Sequence, residues 1–170
     1  FLLKSFAGGK EDMSKKSAGL IMYRLRNGGI EVLLVHPGGP FWAGRDEGSW
    51  SIPKGEFRDD EEPLDAARRE FREEIGFEAA GPFIELKPVK QKGGKTVMAW
   101  ACRGDLDPAL FKSNTFTVEW PPRSGKIAVF PEVDAVQWFP LKVARTKIIQ
   151  AQEGLLDELA SLLKEPRAQR

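Results

Sequence analysis

Cysteine, histidine and tyrosine each occur once in this 170-residue chain, as Cys102, His36 and Tyr23. A lone cysteine has no partner for an internal disulfide and no second thiolate for a zinc site, which points to a reducing compartment, read as cytoplasmic, or to indifference to redox state. With His36 the only imidazole, a Ser-His-Asp or Cys-His mechanism has a single residue to rest on, and that chemistry is set aside. No run approaches the roughly 18 apolar residues of a membrane span. The 26 Lys and Arg against 25 Asp and Glu leave a net charge of +1, and the cations are scattered. That gives no support for a nucleic-acid partner, whose backbone is tracked by a basic stripe, and without an apolar span no membrane partner is expected. Internal repeats and low-complexity tracts are lacking too. Nothing sets an oligomeric state.

What is present fits one soluble domain. The opening FLLKSFAGGKED is interrupted at Lys4 too soon for a signal peptide, and Met13-Ser-Lys-Lys resembles a natural start. Residues 1–12 are therefore read as an upstream or expression-derived extension, and 13–170 as the domain. Residues 18–25 and 30–36 are apolar runs around Asn27-Gly28 and predict a hairpin. The loop 37–49 is rich in Gly and Pro yet carries Phe41 and Trp42. Trp50-Ser51-Ile52 reads as a short strand stopping at Pro53. Residues 83–91 and 96–103 predict a second hairpin, 115–120, 126–130 and 135–139 further strands, and the chain from Leu141 a helical tail that Pro166 ends. Strands in hairpins with two helical segments imply an α+β or layered α/β/α domain.

The stretch Gly55–Phe77 concentrates Glu56, Asp59, Asp60, Glu61, Glu62, Asp65, Glu70, Glu73 and Glu74 against Arg58, Arg68, Arg69 and Arg72. A helix is expected from Pro63, where a missing N–H costs nothing, to Gly76, where a left-handed cap is easiest. At about 100° per residue, Leu64, Ala67, Phe71 and Ile75 share an arc of about 80°, and Glu70, Glu73 and Glu74 occupy roughly the next 100°. The carboxylates thus border the packing face, while Asp65, Arg68 and Arg72 take the other flank. Two full charges about 5–6 Å apart repel by roughly 3 kcal/mol at an effective dielectric near 20. A solvated face absorbs such repulsion; a bound cation removes it.

Gly55, five residues, Glu61, seven residues, then Arg69-Glu70-Phe71-Arg72-Glu73-Glu74-Ile75-Gly76-Phe77 resembles the Nudix box of the MutT-like pyrophosphohydrolases at every fixed position. Phe71 and Phe77 stand where aliphatic residues are more usual, a departure that concerns packing. The resemblance implies a Nudix α/β/α sandwich with a mixed sheet and a loop–helix–loop motif. It also implies hydrolysis of a diphosphate linkage in a nucleoside diphosphate joined to another group X, with magnesium, or manganese in its place. Carried over by position, Glu70, Glu73 and Glu74 with the Gly55 carbonyl would bind metal, and Arg69 and Glu61 would form an orienting pair. Hard oxygen ligands suit magnesium, which keeps waters and bridges to substrate phosphates.

The water-activating base is left open among Glu70, Glu73 and Glu74 and two loop acids, Glu119 and Glu132. Glu132 is favoured of these two because it precedes the last strand in a proline-bounded loop. Candidate substrate contacts are Lys54, beside Gly55, the loop arginines Arg45 and Arg123, and Trp42, with Phe41 and Trp50 as other faces for a base. Trp100, Trp138, His36 and Cys102 read as structural. The sub-pattern Trp50-Ser51-Ile52-Pro53-Lys54-Gly55 is similar to diadenosine tetraphosphate hydrolases and predicted nucleoside triphosphate pyrophosphohydrolases. A dinucleoside polyphosphate and a nucleoside triphosphate are both open as substrates. A catalytically inactive nucleotide sensor and an RNA 5′ pyrophosphohydrolase are the alternatives.

Overall fold

The computed structural model describes residues 15–168, with side chains to Lys164; the extension expected at 1–12 lies outside them. Strands β1 (Lys16–Arg26) and β2 (Gly29–Pro37) form the first hairpin around Asn27 and Gly28, at φ 53° and 74°. These two residue types enter the left-handed region at least cost. Next come β3 (Lys54–Glu56), α1 (Pro63–Ile75), the short β4 (Ile84–Glu85) and β5 (Val89–Lys90), and β6 (Thr96–Arg103). The chain ends with β7 (Thr115–Glu119), β8 (Ile127–Pro131), β9 (Val133–Pro140), α2 (Leu141–Lys147) and α3 (Glu153–Ala168).

The main sheet runs β4-β6-β1-β2-β9, with β3 on β1 and β5 on β6. It is mixed: β6 lies parallel to β1, and the other pairs are antiparallel. One edge of β1 serves two partners, β3 at Ser17–Gly19 and β2 at Tyr23–Arg26. Leu20, Met22, Leu33 and Val35 pack towards α1, while Ile21, Tyr23, Val32 and Leu34 pack towards Leu155, Leu156 and Leu159 of α3. Cover on both faces is why β1 and β2 read as unbroken apolar runs. This is the α/β/α sandwich expected. No helix among the described residues is long and apolar enough to cross a membrane.

Helix α1 begins at Pro63 and closes at Gly76, whose φ of 84° lets its N–H donate to the Arg72 carbonyl at 2.8 Å. Its buried residues are Ala66, Ala67, Glu70, Phe71 and Ile75. Leu64, expected in the stripe, is only half-buried, and Ala66, on the glutamate flank, is buried instead. The helix is therefore rolled so that its carboxylate flank faces the protein.

Three local expectations change. Trp50–Ile52 is extended but makes only single bridges, Ser51 to Val35 and Trp50 to Ile148, and the regular strand starts after Pro53. The cause is Gly19: a side chain there would run into the Pro53 carbonyl and Lys54, so only glycine lets residues 53–56 close on β1. The stretch 83–91 pairs with β6 in two pieces, β4 and β5, because Pro88 between them has no N–H to give. Helix α3 continues past Pro166 to Ala168. The β7–β8 hairpin is a sheet of its own. Its base is tied down where Asn114 N–H donates to the Glu73 carbonyl at 2.9 Å and Glu132 N–H to the Asn114 carbonyl at 2.8 Å.

Candidate active site

The site forms where α1 crosses β3. At Gly55 a side chain would occupy the space filled by the Glu70 carboxylate, so the absence of a Cβ admits that carboxylate against the strand. Arg69 grips Glu61 with two bonds, Nε to Oε2 at 2.8 Å and Nη2 to Oε1 at 2.9 Å. Its remaining nitrogen donates to Glu70 Oε1 at 2.7 Å and reaches Glu73 at 3.2 Å. The planar fork suits this use, because guanidinium presents several donors in fixed directions. Glu61 holds Arg69 firmly charged and is itself held below the usual carboxylate range by that bond.

Glu74 reaches the neighbouring residue of the strand, where its Oε2 accepts the Lys54 backbone N–H at 3.1 Å. Burial raises its carboxyl well above the ordinary value, the charges of Glu70 and Glu132 add to this, and the nearby Lys54 ammonium opposes it. Glu70 is raised for the same first reason, with Arg69 opposing. Burial also raises Glu132, which feels Glu73. Lys54 is lowered by burial and then by Lys95. A buried carboxylate group whose like charges outweigh its bases favours either protons or a cation.

A cleft of about 240 Å³ opens beside this cluster, lined by Val35, Pro37, Trp42, Ser51, Ile52, Lys54, Glu74, Gln91, Glu132, Val133 and Ile149. The structure thus brings Gly55, Glu61, Arg69, Glu70, Glu73 and Glu74 into one cluster and puts Lys54, Trp42 and Glu132 in the adjoining cleft. Glu119 lies exposed on β7, and Arg123 stands exposed in the turn after it at φ 62°; neither lines the cleft. Arg45 lies over the Trp42 ring at 5.7 Å, on the loop rather than in the cleft. Phe41 packs on Trp120 with 5.4 Å between ring centroids. Trp50 is buried edge-on against Phe139 and donates to Asp46 at 2.9 Å, so it is a core residue, not a free face for a base.

His36, also buried, bridges Asp134 and the Arg45 carbonyl at 2.7 Å each and pins the 37–49 loop to β9. Trp100 and Trp138 are buried, and the Cys102 thiol is pushed up to about 12 by burial. Gln91 and Ile149 line the cleft without having stood out in the sequence. Nothing local marks them, since each reaches the cleft through the fold.

The oxygen donor set fits a divalent ion. Among the described residues no three acidic, histidine or cysteine side chains yet converge as a ligand group. Arg69 draws Glu70 and Glu73 one way and the Lys54 N–H draws Glu74 another. Ion binding would then need these bonds to be exchanged, while the unbalanced charge around Glu74 favours the exchange.

The profile of the NUDIX domain family matches residues 13–159. No curated relative matches by sequence. Among solved structures, a Caenorhabditis elegans Ap4A hydrolase binary complex shares 22% identity at a TM-score of 0.60, over 89% of this chain and 98% of that one. The NUDIX domain of Shewanella oneidensis NrtR, complexed with ADP ribose, shares 16% at 0.61, over 90% of each. A mutT/nudix family protein from Listeria innocua shares 17% at 0.57, over 92% of this chain and 98% of that one. These neighbours share the fold. The chain belongs to the Nudix family. It is a pyrophosphohydrolase of that class, and its chemistry is hydrolysis of pyrophosphate linkages in nucleotide-linked substrates.

Proposed function

We propose that this protein hydrolyses a dinucleoside polyphosphate or a nucleoside triphosphate by attack of water on phosphorus, with magnesium held by Glu70, Glu73, Glu74 and the Gly55 carbonyl. The observation that carries this reading is the meeting of Glu74, Lys54 and Glu132 in one cleft, next to Glu70 packed on Gly55. Bound there, the ion would polarise phosphoryl oxygens and offset charge on the leaving phosphate. Manganese offers the same oxygen chemistry.

Each of the chain's own groups has a task. Arg69, clamped by Glu61, sets the positions of Glu70 and Glu73. Lys54 presents a cation to a phosphate oxygen inside the cleft, and Trp42 gives the cleft an aromatic face for a base or for X. Glu70 and Glu132 are the carboxylates for accepting a proton from the attacking water. Burial raises both, which brings a carboxylate nearer the working pH of a general base. Arg45 and Arg123 lie outside the cleft and are given no part in this reading.

The likeness to an Ap4A hydrolase over most of both chains supports a dinucleoside polyphosphate as one substrate class. The test is a panel of nucleoside diphosphates, triphosphates and dinucleoside polyphosphates in ¹⁸O-labelled water, with magnesium. Label in one phosphate product is expected for at least one substrate and identifies the phosphorus attacked. Cleavage that leaves all label in water, or binding without cleavage across the panel, would overturn the proposal.

A further inference from the structure

A buried chain of hydrogen bonds fixes the orientation of a side chain in the cleft. Its starting point is a backbone N–H, which has only one polarity. Ile52 N–H meets an amide atom of Gln152 at 3.0 Å, so that atom is the oxygen. Gln152 Nε2 therefore faces the other way and donates to Ser51 Oγ and to Gln91 Oε1, both at 3.0 Å. Ser51 can accept because its own hydroxyl proton goes to the Ile52 carbonyl at 2.8 Å. Gln152 is 0% exposed, so no bulk water competes for these bonds. The polarity passes to Gln91: with Oε1 committed to Gln152, its amide nitrogen points elsewhere. Among the described residues that nitrogen has no acceptor, and Gln91 lines the cleft with Lys54, Glu74 and Glu132.

We propose that Gln91 is a substrate-binding residue whose amide N–H groups donate to an oxygen of the substrate's phosphate chain, and that Gln152 is the positioning residue that aims them. The inference rests on the pyrophosphohydrolase reading above. A phosphate oxygen is the matching acceptor because Gln91 lines the same cleft as Lys54, the ammonium that meets the phosphates in that reading. Lys54 shares the cleft, and Gln91 opens the turn that Lys95 closes, its N–H donating to the Lys95 carbonyl at 2.8 Å. In a cleft that Lys54 shares with Glu74 and Glu132, an amide donor suits an anionic oxygen and adds direction that a point charge lacks. The arrangement also links α3 to catalysis, since Gln152 lies in the 3₁₀ turn just before that helix.

The test compares Gln91→Ala, Gln91→Glu and Gln152→Leu with the wild type in Michaelis kinetics on ATP, GTP, CTP and UTP and on a dinucleoside polyphosphate. Gln91→Ala should raise KM about tenfold, the worth of roughly one hydrogen bond to a charged group, and should lower the thermal midpoint because Gln152 Nε2 loses one of its two acceptors. Gln91→Glu keeps the oxygen that Gln152 needs but sets a carboxylate against the phosphates, so its KM should rise further. The increase should be the same for every base. Gln152→Leu should raise KM as Gln91→Ala does, and the double variant should be no worse in KM than Gln91→Ala alone, because both act through one amide. If Gln152→Leu does not fold, the two Gln91 variants still decide the matter. Wild-type turnover with an unaltered KM in both Gln91 variants overturns this inference and leaves the function standing, as does an increase confined to one base. A wild type that cleaves nothing removes the function and this inference with it.

Discussion

Replacing Gly55 by alanine should separate folding from catalysis. The new methyl would enter the space of the Glu70 carboxylate, which lies at the end of a flexible side chain and can swing away. Gly55 does not sit at positive φ, so alanine is compatible with the strand and gains roughly 0.4–1 kcal/mol from the unfolded state. Against this stands the Arg69–Glu70 bond at 2.7 Å. A hydrogen bond between charged groups is worth about 1.5–3 kcal/mol before the discount for partial exposure, and Arg69 keeps its two bonds to Glu61. The net loss of stability should therefore stay below about 2 kcal/mol. Turnover should fall by about 10²–10⁴, the usual worth of a positioned acid or base. Urea unfolding and steady-state hydrolysis read the two effects on the same preparation. In a Glu70→Asp background, whose shorter side chain leaves room for the methyl, Gly55→Ala should cost less than about tenfold, because the two changes share one contact. A Gly55→Ala variant within about threefold of wild-type turnover would refute the packing argument, since the predicted loss is at least about a hundredfold.

Glu74→Gln, or Glu73→Gln, should abolish turnover without unfolding the protein; for Glu74 the amide oxygen can still accept the Lys54 N–H, so its thermal midpoint should hold or rise. Magnesium binding should release protons at neutral pH, because burial raises Glu74 and Glu70 and the ion needs both ionised. Calorimetry in buffers of different ionisation enthalpy checks this; identical apparent enthalpies would contradict it. In the metal-free protein the sign for stability is fixed as well: a carboxyl raised on folding holds its proton where the unfolded chain has lost it. These two groups thus stabilise the fold at and below the ordinary carboxylate range, and that contribution is lost as pH rises through their raised values. The gain in thermal midpoint from magnesium should accordingly grow with pH. Phe71→Ala, at a position 0% exposed in the core against β1, should cost about 3–5 kcal/mol and be visible in urea unfolding.

The helix and its carboxylates were legible because their contacts are local. Glu61, Arg69, Glu70 and Glu73 meet within one loop and one helix, so residue spacing alone encodes their geometry. The hairpin at Asn27-Gly28 and the cap at Gly76 were legible for the same reason, as positive φ is a property of single residues. Glu132 was preferred over Glu119 from its place before the last strand, and it is Glu132 that the fold brings to the cleft. What depends on distant partners was not legible. The strand after Pro53 exists because Gly19 leaves room for it, and Trp50 is taken out of reach of a ligand by Asp46 and Phe139. Gln91 does not stand out in the expected strand 83–91, since its orientation is decided 61 residues away by Gln152.

The most direct measurement of the central claim is phosphate release from a nucleotide panel as magnesium is titrated, for the wild type and for Glu74→Gln. Turnover of at least one nucleoside triphosphate or dinucleoside polyphosphate is predicted, saturating with magnesium, abolished by chelation and absent in the variant at every magnesium concentration. Wild-type turnover that survives chelation, or a Glu74→Gln protein as active as the wild type, would contradict the metal site. Tight, magnesium-independent nucleotide binding with no release at all would contradict the reaction.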